Sequence, residues 1–164
     1  MGTEIERKFL VSPGWRPGGE GMAIVQGYLS SAKERLVRIR LIGDEARITI
    51  KGAADGISRA EYEYPIPVED AREILATLCE RPFVDKTRYL VPYAGMAWEV
   101  DVFHGDNEGL VIAELELPRA DAAFDPPPWL AGEVSGDERY GNSRLARHPW
   151  RSWALPAAGD GTYS

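Results

Sequence analysis

Two carboxylates and an ammonium group lie at every second position near the start of the chain, in Glu4-Ile5-Glu6-Arg7-Lys8. Alternate residues of a β-strand share one face, so Glu4, Glu6 and Lys8 would form a single charged line. Neighbouring carboxylates can coordinate a hard divalent cation, and a lysine can hold a phosphate group. The spacing therefore predicts both halves of a metal–phosphate site on one strand.

Alternating polar and apolar residues recur along the first two thirds of the chain and predict about eight short strands. The predicted strands are 4–11, 26–30, 37–41, 46–51, 61–64, 86–90, 96–103 and 109–117. Apolar residues over 68–81 recur at helical spacing instead, between Pro67 and Pro82, and predict a helix. A second, shorter helix is predicted near 137–146, and the proline-rich stretch 125–129 is typical of a loop.

Nearly every position on one face of these strands is charged. The cationic positions are Lys8, Arg38, Arg40, Arg47, Lys51, Lys86 and Arg88. The acidic positions are Glu4, Glu6, Glu61, Glu63, Glu99, Asp101, Glu114 and Glu116. Like charges side by side raise the free energy unless a counter-ion relieves them, so the cations suit a polyanion and the carboxylates suit divalent cations.

This charged face has two structural interpretations. For any single strand, the plainer one is an open antiparallel sheet with a packed apolar face and a solvated charged face. If eight strands instead close into a barrel with the charges inward, the lumen is a charged tunnel rather than a packed core. The apolar face would then be covered from outside by the helices and the loop rich in tryptophan and proline.

Composition and length indicate one globular domain. The 164 residues predict a domain over 1–150, followed by a tail over 151–164 that is small, polar and poorly ordered from Ala154 onward. The net charge of −7 argues against non-specific binding to nucleic acid. Cys79 is the single cysteine, so neither an internal disulfide nor a zinc cluster is expected. With no signal-like or membrane-spanning segment in the sequence, a cytoplasmic location is the simplest expectation.

Several short blocks of the sequence together resemble a known family. Glu4–Leu10 resembles the E-x-E-x-K signature of the CYTH, or triphosphate tunnel metalloenzyme, superfamily. Further blocks fall in the order of that family: Gln26-Gly27-Tyr28-Leu29, Val37-Arg38-Ile39-Arg40, Thr49-Ile50-Lys51-Gly52, Glu61-Tyr62-Glu63-Tyr64, Lys86-Thr87-Arg88-Tyr89, Trp98 to Phe103, Ala113 to Leu117 and Asp137 to Ser143. The resemblance covers about residues 2–148. In pattern it is nearest to short, single-domain bacterial members that hydrolyse inorganic triphosphate.

The resemblance implies a mostly β (α+β) fold: an eight-stranded antiparallel closed barrel around a triphosphate tunnel, with a few flanking helices. It implies hydrolysis of inorganic triphosphate to pyrophosphate and phosphate with Mg²⁺ or Mn²⁺, a small-molecule substrate, and no nucleic-acid or membrane partner. A monomer or a homodimer is expected. Two alternatives stay open: another CYTH activity (nucleoside or thiamine triphosphatase, or adenylyl cyclase), and a non-catalytic module that binds polyphosphate or nucleotide.

The resemblance also implies residue roles. The residues expected to hold triphosphate are Lys8, Arg38, Arg40, Lys51, Lys86 and Arg88. The first-choice metal ligands are Glu4, Glu6 and Glu116, with Glu61, Glu63, Asp101 and Glu114 as further candidates for one or two ions. Tyr28 and Lys8 match a pair that has been linked with catalysis in short members, and Glu63 is a third catalytic candidate. A metal-bound water oriented by a carboxylate explains hydrolysis equally well.

Overall fold

The computed structural model describes residues 2–154, and these form nine β-strands, three α-helices and two 3-10 helices. The strands are β1 (Gly2–Val11), β2 (Met22–Ala32), β3 (Arg35–Ile42), β4 (Glu45–Gly52), β5 (Ser58–Ile66), β6 (Glu80–Tyr93), β7 (Met96–Phe103), β8 (Val111–Glu116) and β9 (Leu130–Glu133). The α-helices are α1 (Val68–Thr77), α2 (Asn142–Arg147) and α3 (Trp150–Ala154), and the 3-10 helices span Gly105–Asn107 and Glu138–Tyr140. No helix in this part of the chain has the length and apolar character needed to cross a membrane.

Eight of the strands close into an antiparallel barrel, which confirms the predicted fold class. Neighbouring strands pair in the order β5-β4-β3-β2-β6-β7-β8-β1, and β1 returns to β5. The first half of β1, Gly2–Ile5, pairs with β5, and the second half, Glu6–Leu10, pairs with β8. This split closes the barrel, and β9 pairs with β1 near Phe9 and Val11.

The observed elements differ from the predicted ones mainly at their ends. The strand predicted at 26–30 extends over Met22–Ala32, and the four-residue strand β9 was not predicted. The helix predicted over 68–81 ends at Thr77, because Glu80 already pairs with β2. The second helix predicted near 137–146 is present as α2 but begins only at Asn142, because Gly141 adopts an extended conformation (φ −67°, ψ 140°) between a 3-10 turn and α2.

The domain boundary predicted at residue 150 stays a prediction. Helix α3 runs across it, and Trp150 and Trp153 are partly buried against the core. Most of the predicted tail, residues 155–164, lies outside the described residues.

The outward face of the barrel is apolar and covered on two sides. Helix α1 buries Ala71 and Leu75 in a cluster with Ile39 of β3. On another side, Trp98 packs edge-on against Phe124, with ring centroids 5.7 Å apart, from the loop between β8 and β9. These contacts agree with the predicted cover of helix and Trp/Pro-rich loop, and burial of such aromatic groups is a main source of stability.

One part of the barrel interior is a packed apolar cluster, which the charge pattern did not predict. Leu36, Val84 and Ile112 lie two positions before Arg38, Lys86 and Glu114 on the same inward faces. The buried members of the cluster are Tyr28, Leu36, Val84, Phe103, Leu110, Ile112, Tyr140, Leu145 and Ala146. Since Leu145 and Ala146 come from α2, the C-terminal segment completes this core, and the charged lumen occupies only part of the interior.

Gly27 in β2 lies under α1, where the close approach leaves no space for a side chain. An added Cβ would lie 2.8 Å from Leu75 Cδ2 and 3.0 Å from Phe83 Cδ1. We expect Gly27→Ala to lower the free energy of unfolding by about 1–3 kcal/mol, because overpacking displaces α1. Gly52→Ala is the matched control, since its Cβ would meet Ala60 Cβ at an ordinary 3.6 Å. Urea denaturation measures both variants, and equal losses would contradict the packing argument.

Candidate active site

The barrel encloses a charged cavity of about 470 Å³. The predicted site residues that line it are Glu4, Glu6, Lys8, Tyr28, Arg38, Arg40, Lys51, Glu61, Glu63, Lys86, Arg88, Glu114 and Glu116. Asp101 and Arg47 are not among the residues of its wall. A segment that the charge pattern did not single out, Ser135–Ser143, supplies further wall residues.

Strand register decides which charges meet in the cavity. Lys8 of β1 lies directly across from Glu114 of β8, and their charged atoms are 3.4 Å apart. Two positions away, Glu6 lies across from Glu116, so two carboxylates face each other. Glu114 also lies across from Glu99 of β7. Some carboxylates are thus neutralised by cations of the wall, whereas others lie beside another carboxylate.

Arg40 is a buried cation without an acidic partner. Its side chain is 9% exposed, and among the described residues it forms no ion pair. Its Nε donates one hydrogen bond to Gln26 Oε1 at 2.9 Å. Burial first, and then Arg38 and Arg88, lower the pKa of Arg40 to about 10. A buried guanidinium without a carboxylate is unfavourable in the free protein, and this environment favours binding of an anion.

Arg38 is only partly neutralised. Its NH2 group donates to Thr49 Oγ1 at 3.1 Å and lies 3.5 Å from Glu63, while its buried Nε has no hydrogen-bond partner in the structure. Glu63 also accepts a hydrogen bond from Thr49 at 2.8 Å. Although burial acts in the opposite sense, Thr49 and Arg38 hold the pKa of Glu63 below its ordinary value. Glu63 is therefore an ionised carboxylate beside the phosphate-holding candidates.

Asp101 is held in an ion-pair network instead of facing the cavity. Arg88 donates two hydrogen bonds to its two oxygens, at 2.8 and 2.9 Å, and Lys86 Nζ lies 2.8 Å from Oδ2. Burial opposes ionisation, but Lys86 and Arg88 outweigh it and hold the pKa of Asp101 well below its ordinary value. The side chain is 0% exposed. Both oxygens of Asp101 are thus occupied by cations, and its predicted role as a metal ligand stays a prediction.

Glu6 is the acidic counterpart of Arg40. Within residues 2–154 its carboxylate takes part in no hydrogen bond or ion pair, whereas Glu4 accepts from Lys51 at 2.9 Å. Burial, followed by Glu114 and Glu4, raises the pKa of Glu6 to about 8. Burial and then Glu4 also raise the pKa of Glu116 above its ordinary value. The surroundings of the facing pair Glu6 and Glu116 therefore disfavour their ionised forms, and a bound cation would favour those forms.

This donor set fits a hard divalent cation that is bound together with phosphate. In the part of the chain described, no group of three or more acidic, histidine or cysteine side chains is already arranged to hold a metal ion. Mg²⁺ commonly takes one or two protein carboxylates and completes its octahedron with phosphate and water oxygens. Glu6 and Glu116 supply that number of uncommitted carboxylates, and a cation there would relieve their repulsion.

Tyr28 lies between the apolar cluster and the cavity. Its hydroxyl oxygen accepts a hydrogen bond from Gln26 Nε2 at 2.9 Å. Lys8 Nζ, the predicted partner of Tyr28, donates to the Tyr140 carbonyl at 3.4 Å and pairs with Glu114. No hydrogen bond joins Lys8 to Tyr28 in the described structure, so their pairing stays a prediction.

Buried Gln26 and half-buried Asn142 are two polar residues of the site that the charge pattern did not include. Asn142 Oδ1 accepts from Lys86 Nζ at 2.7 Å and from Gln26 Nε2 at 3.1 Å. Gln26 shares the inward face of β2 with Tyr28, so its position could be read from the alternation. Because Gln26 is uncharged, it is not part of the pattern of charged residues.

Comparisons with known proteins give one consistent result. A family model described as "CYTH domain" matches residues 2–146. A protein of Acetivibrio thermocellus named "Inorganic triphosphatase" is 49% identical over 154 residues, which cover 93% of this chain and 99% of that protein. A protein of Nitrosomonas europaea with the same name is 43% identical over 150 residues, covering 88% and 97%.

Solved structures agree with these matches. One described as the inorganic triphosphatase NE1496 has a TM-score of 0.63 at 39% identity, over 89% of this chain and 95% of that one. A conserved hypothetical protein from Pyrococcus furiosus has a TM-score of 0.55 at 20% identity, over 72% and 80% of the two chains. At that identity, the second match shows a shared fold only.

Proposed function

The chain belongs to the CYTH family, and on that premise we propose that it hydrolyses inorganic triphosphate to pyrophosphate and phosphate with a divalent metal ion. The observation that carries the proposal is that one cavity holds both a guanidinium group and a carboxyl group that have no ion-pair partner in the part of the chain described. Among the described residues, neither Arg40 nor Glu6 forms an ion pair, and their surroundings disfavour the charge of each. A complex of a metal ion with triphosphate would supply an anion to the first and a cation to the second.

The number of carboxylates favours an enzyme over a passive polyanion binder. Nine acidic and seven cationic side chains of the described residues line the cavity. A wall with more acidic than basic groups does not by itself attract a highly charged anion. Divalent cations reverse that balance, so the wall suits a metal–triphosphate complex and not polyphosphate alone.

The cationic side chains provide the binding and electrostatic part of the mechanism. The residues proposed to hold triphosphate are Lys8, Arg38, Arg40, Lys51, Lys86 and Arg88. Burial opposes the charge of Lys8, but Glu114 and Glu6 outweigh it and raise its pKa above the ordinary value. Lys8 thus stays cationic at neutral pH and suits phosphate binding. Guanidinium groups such as those of Arg38 and Arg40 would neutralise charge that develops on the transferred phosphoryl group.

The acidic side chains provide the metal-binding part. We propose Glu6 and Glu116 as principal ligands, together with Glu4, and Glu61, Glu63 and Glu114 as residues that orient water or a second ion. A bound Mg²⁺ or Mn²⁺ supplies Lewis-acid stabilisation of the phosphoryl oxygens. Tyr28 and Glu63 are the two candidates for accepting the proton of the attacking water, since both line the cavity.

The cavity wall favours the small inorganic substrate over an organic triphosphate. The apolar and aromatic residues of its wall are Tyr28, Leu36, Ala54 and Ile57. A nucleobase or thiamine ring is bound mainly by apolar and aromatic surfaces, which this wall offers sparingly. A cytoplasmic location, a monomeric or homodimeric state, and the lack of nucleic-acid and membrane partners stay predictions.

The test is phosphate release from triphosphate, ATP, thiamine triphosphate and pyrophosphate, each with Mg²⁺, Mn²⁺ or Ca²⁺. We expect triphosphate to be preferred over ATP and thiamine triphosphate by at least about tenfold in kcat/KM, because its hydrolysis needs no site for an organic group. EDTA is expected to abolish turnover. Preference for another substrate with every metal would overturn the proposal, and binding of triphosphate without metal-dependent turnover would identify a binding module.

A further inference from the structure

Gln26 lies at the centre of a buried hydrogen-bonded chain that joins the phosphate-holding cations to Tyr28. Its carbonyl oxygen accepts from Arg40 Nε at 2.9 Å, and its amide nitrogen donates to the Tyr28 hydroxyl at 2.9 Å and to Asn142 Oδ1 at 3.1 Å. Lys86 Nζ donates to the same Asn142 oxygen at 2.7 Å. Gln26 is 0% exposed and is not among the residues that line the cavity.

The orientation of both amide groups follows from chemistry. Arginine and lysine side chains only donate hydrogen bonds. The Gln26 atom beside Arg40 must therefore be its oxygen, and the Asn142 atom beside Lys86 must be its oxygen as well. The amide nitrogen of Gln26 is then forced to point at the Tyr28 oxygen. Two cations of the site thus determine how Gln26 meets Tyr28.

This arrangement fixes the direction of the Tyr28 hydroxyl. Because the phenolic oxygen accepts an N–H from Gln26, its own proton must point elsewhere, and the side chain lines the cavity. We propose that Gln26 is a positioning residue, which acts through Tyr28 and holds its hydroxyl toward the reacting groups, while Asn142 secures Gln26 from the C-terminal segment. The inference rests on the proposed triphosphatase function and assigns a role to Gln26 and Asn142, which that function does not otherwise involve.

A double-mutant cycle with Tyr28→Phe tests this dependence. We expect Gln26→Leu to lower kcat for triphosphate by about tenfold or more in the wild-type background, as for loss of an aligned catalytic hydrogen bond. In the Tyr28→Phe background the same substitution is expected to change kcat by less than about threefold, because the effect through Tyr28 is already gone and only the hydrogen bond from Arg40 is lost. Asn142→Ala leaves Gln26 in place, so it is expected to lower kcat by a smaller factor than Gln26→Leu, and again less in the Tyr28→Phe background than in the wild type.

A buried amide outside the cavity controls for loss of stability. Asn107 is 4% exposed and accepts from the backbone N–H of Trp150 at 2.8 Å. Asn107→Leu therefore removes a buried amide without touching the site, and its kcat should stay at the wild-type value while its thermal midpoint falls. If Gln26→Leu does not fold, Asn142→Ala carries the cycle alone.

The possible outcomes separate the inference from the function. Non-additive losses of kcat in the cycle support the positioning role. Additive losses, or a Tyr28→Phe variant with unchanged kcat, overturn it while triphosphate turnover by the wild type stands. Absence of wild-type turnover overturns the proposed function, and the inference falls with it.

Discussion

Replacing Arg40 by methionine is expected to remove most of the triphosphatase activity and to make the free protein more stable. Arg40 carries its charge in a buried position without a carboxylate partner, and its pKa is lowered from 12.5 to about 10. A pKa lowered by this amount corresponds to about 3 kcal/mol of unfavourable free energy for the charged group in the folded state. Methionine keeps the apolar stem and removes the charge, but it leaves Gln26 Oε1 without a donor, at about 1 kcal/mol.

The net expectation for Arg40→Met is a gain of about 1–2 kcal/mol in the free energy of unfolding. Activity is expected to change in the opposite direction, with kcat/KM for triphosphate about 10²–10³-fold lower, since one donor to the transferred group is lost. Urea denaturation without substrate and steady-state phosphate release measure the two effects. This opposition of sign is what distinguishes an anion-binding residue from a structural one.

Arg47→Met is the matched control for this substitution. Arg47 lies directly across from Arg40 in the β3–β4 register but is not part of the cavity wall, and its NH2 is 3.7 Å from exposed Glu45. Its replacement should change the free energy of unfolding by less than about 0.5 kcal/mol and leave turnover nearly unchanged. A fully active Arg40→Met protein, or one that is markedly less stable, would contradict the role of Arg40 in holding phosphate.

The sequence was sufficient to predict which side chains point inward, because that property depends on a local period of two residues. Glu4, Glu6 and Lys8 lie in the barrel as the alternation requires, and the closed fold provides the cavity. The same pattern placed Glu6 and Asp101 in one class, as inward carboxylates. The structure separates them, because Asp101 forms ion pairs with two cations, whereas Glu6 forms none among the described residues.

That distinction depends on register between strands that are distant in the chain. Whether Arg88 lies across from Asp101, and Glu6 across from Glu116, is fixed by how the whole barrel closes. Local alternation carries no such information. Gln26 and Leu36 were not predicted for a different reason. Both side chains point inward but are uncharged, so the pattern of charged residues does not include them.

Replacing Glu6 by glutamine is expected to stop metal-dependent turnover and to stabilise the metal-free protein at neutral and higher pH. Glu6 is a half-buried carboxyl group that forms no ion pair among the described residues, and its pKa is raised from 4.5 to about 8. Glutamine has the same shape and no charge. We expect kcat/KM with Mg²⁺ or Mn²⁺ to fall by about 10²-fold or more, because a neutral amide is a poor ligand for hard cations.

The stability effect of Glu6→Gln has a defined pH dependence. Below about pH 4.5 the carboxyl group is protonated in both states, so the wild type pays no penalty for burying it. Between about pH 4.5 and 8 the unfolded chain loses this proton and the folded protein keeps it, so the free energy of unfolding of the wild type falls. Above about pH 8 the loss is complete. The advantage of the variant should therefore grow by up to about 1.4 kcal/mol per pH unit and then level off.

Urea denaturation in EDTA from pH 4 to 9 measures this difference, with Glu45→Gln as the control. The side chain of Glu45 is 72% exposed, so its replacement should shift stability by less than about 0.5 kcal/mol at every pH. Addition of Mg²⁺ or Mn²⁺ with triphosphate should stabilise the wild type and not Glu6→Gln, because a ligand stabilises only the state that binds it. A stability difference that does not vary with pH, or an active Glu6→Gln protein, would remove Glu6 from the metal site. Growth of the difference with pH, together with loss of this ligand effect, would mean that the free protein keeps a carboxyl group where its ionisation is unfavourable because the bound complex requires it.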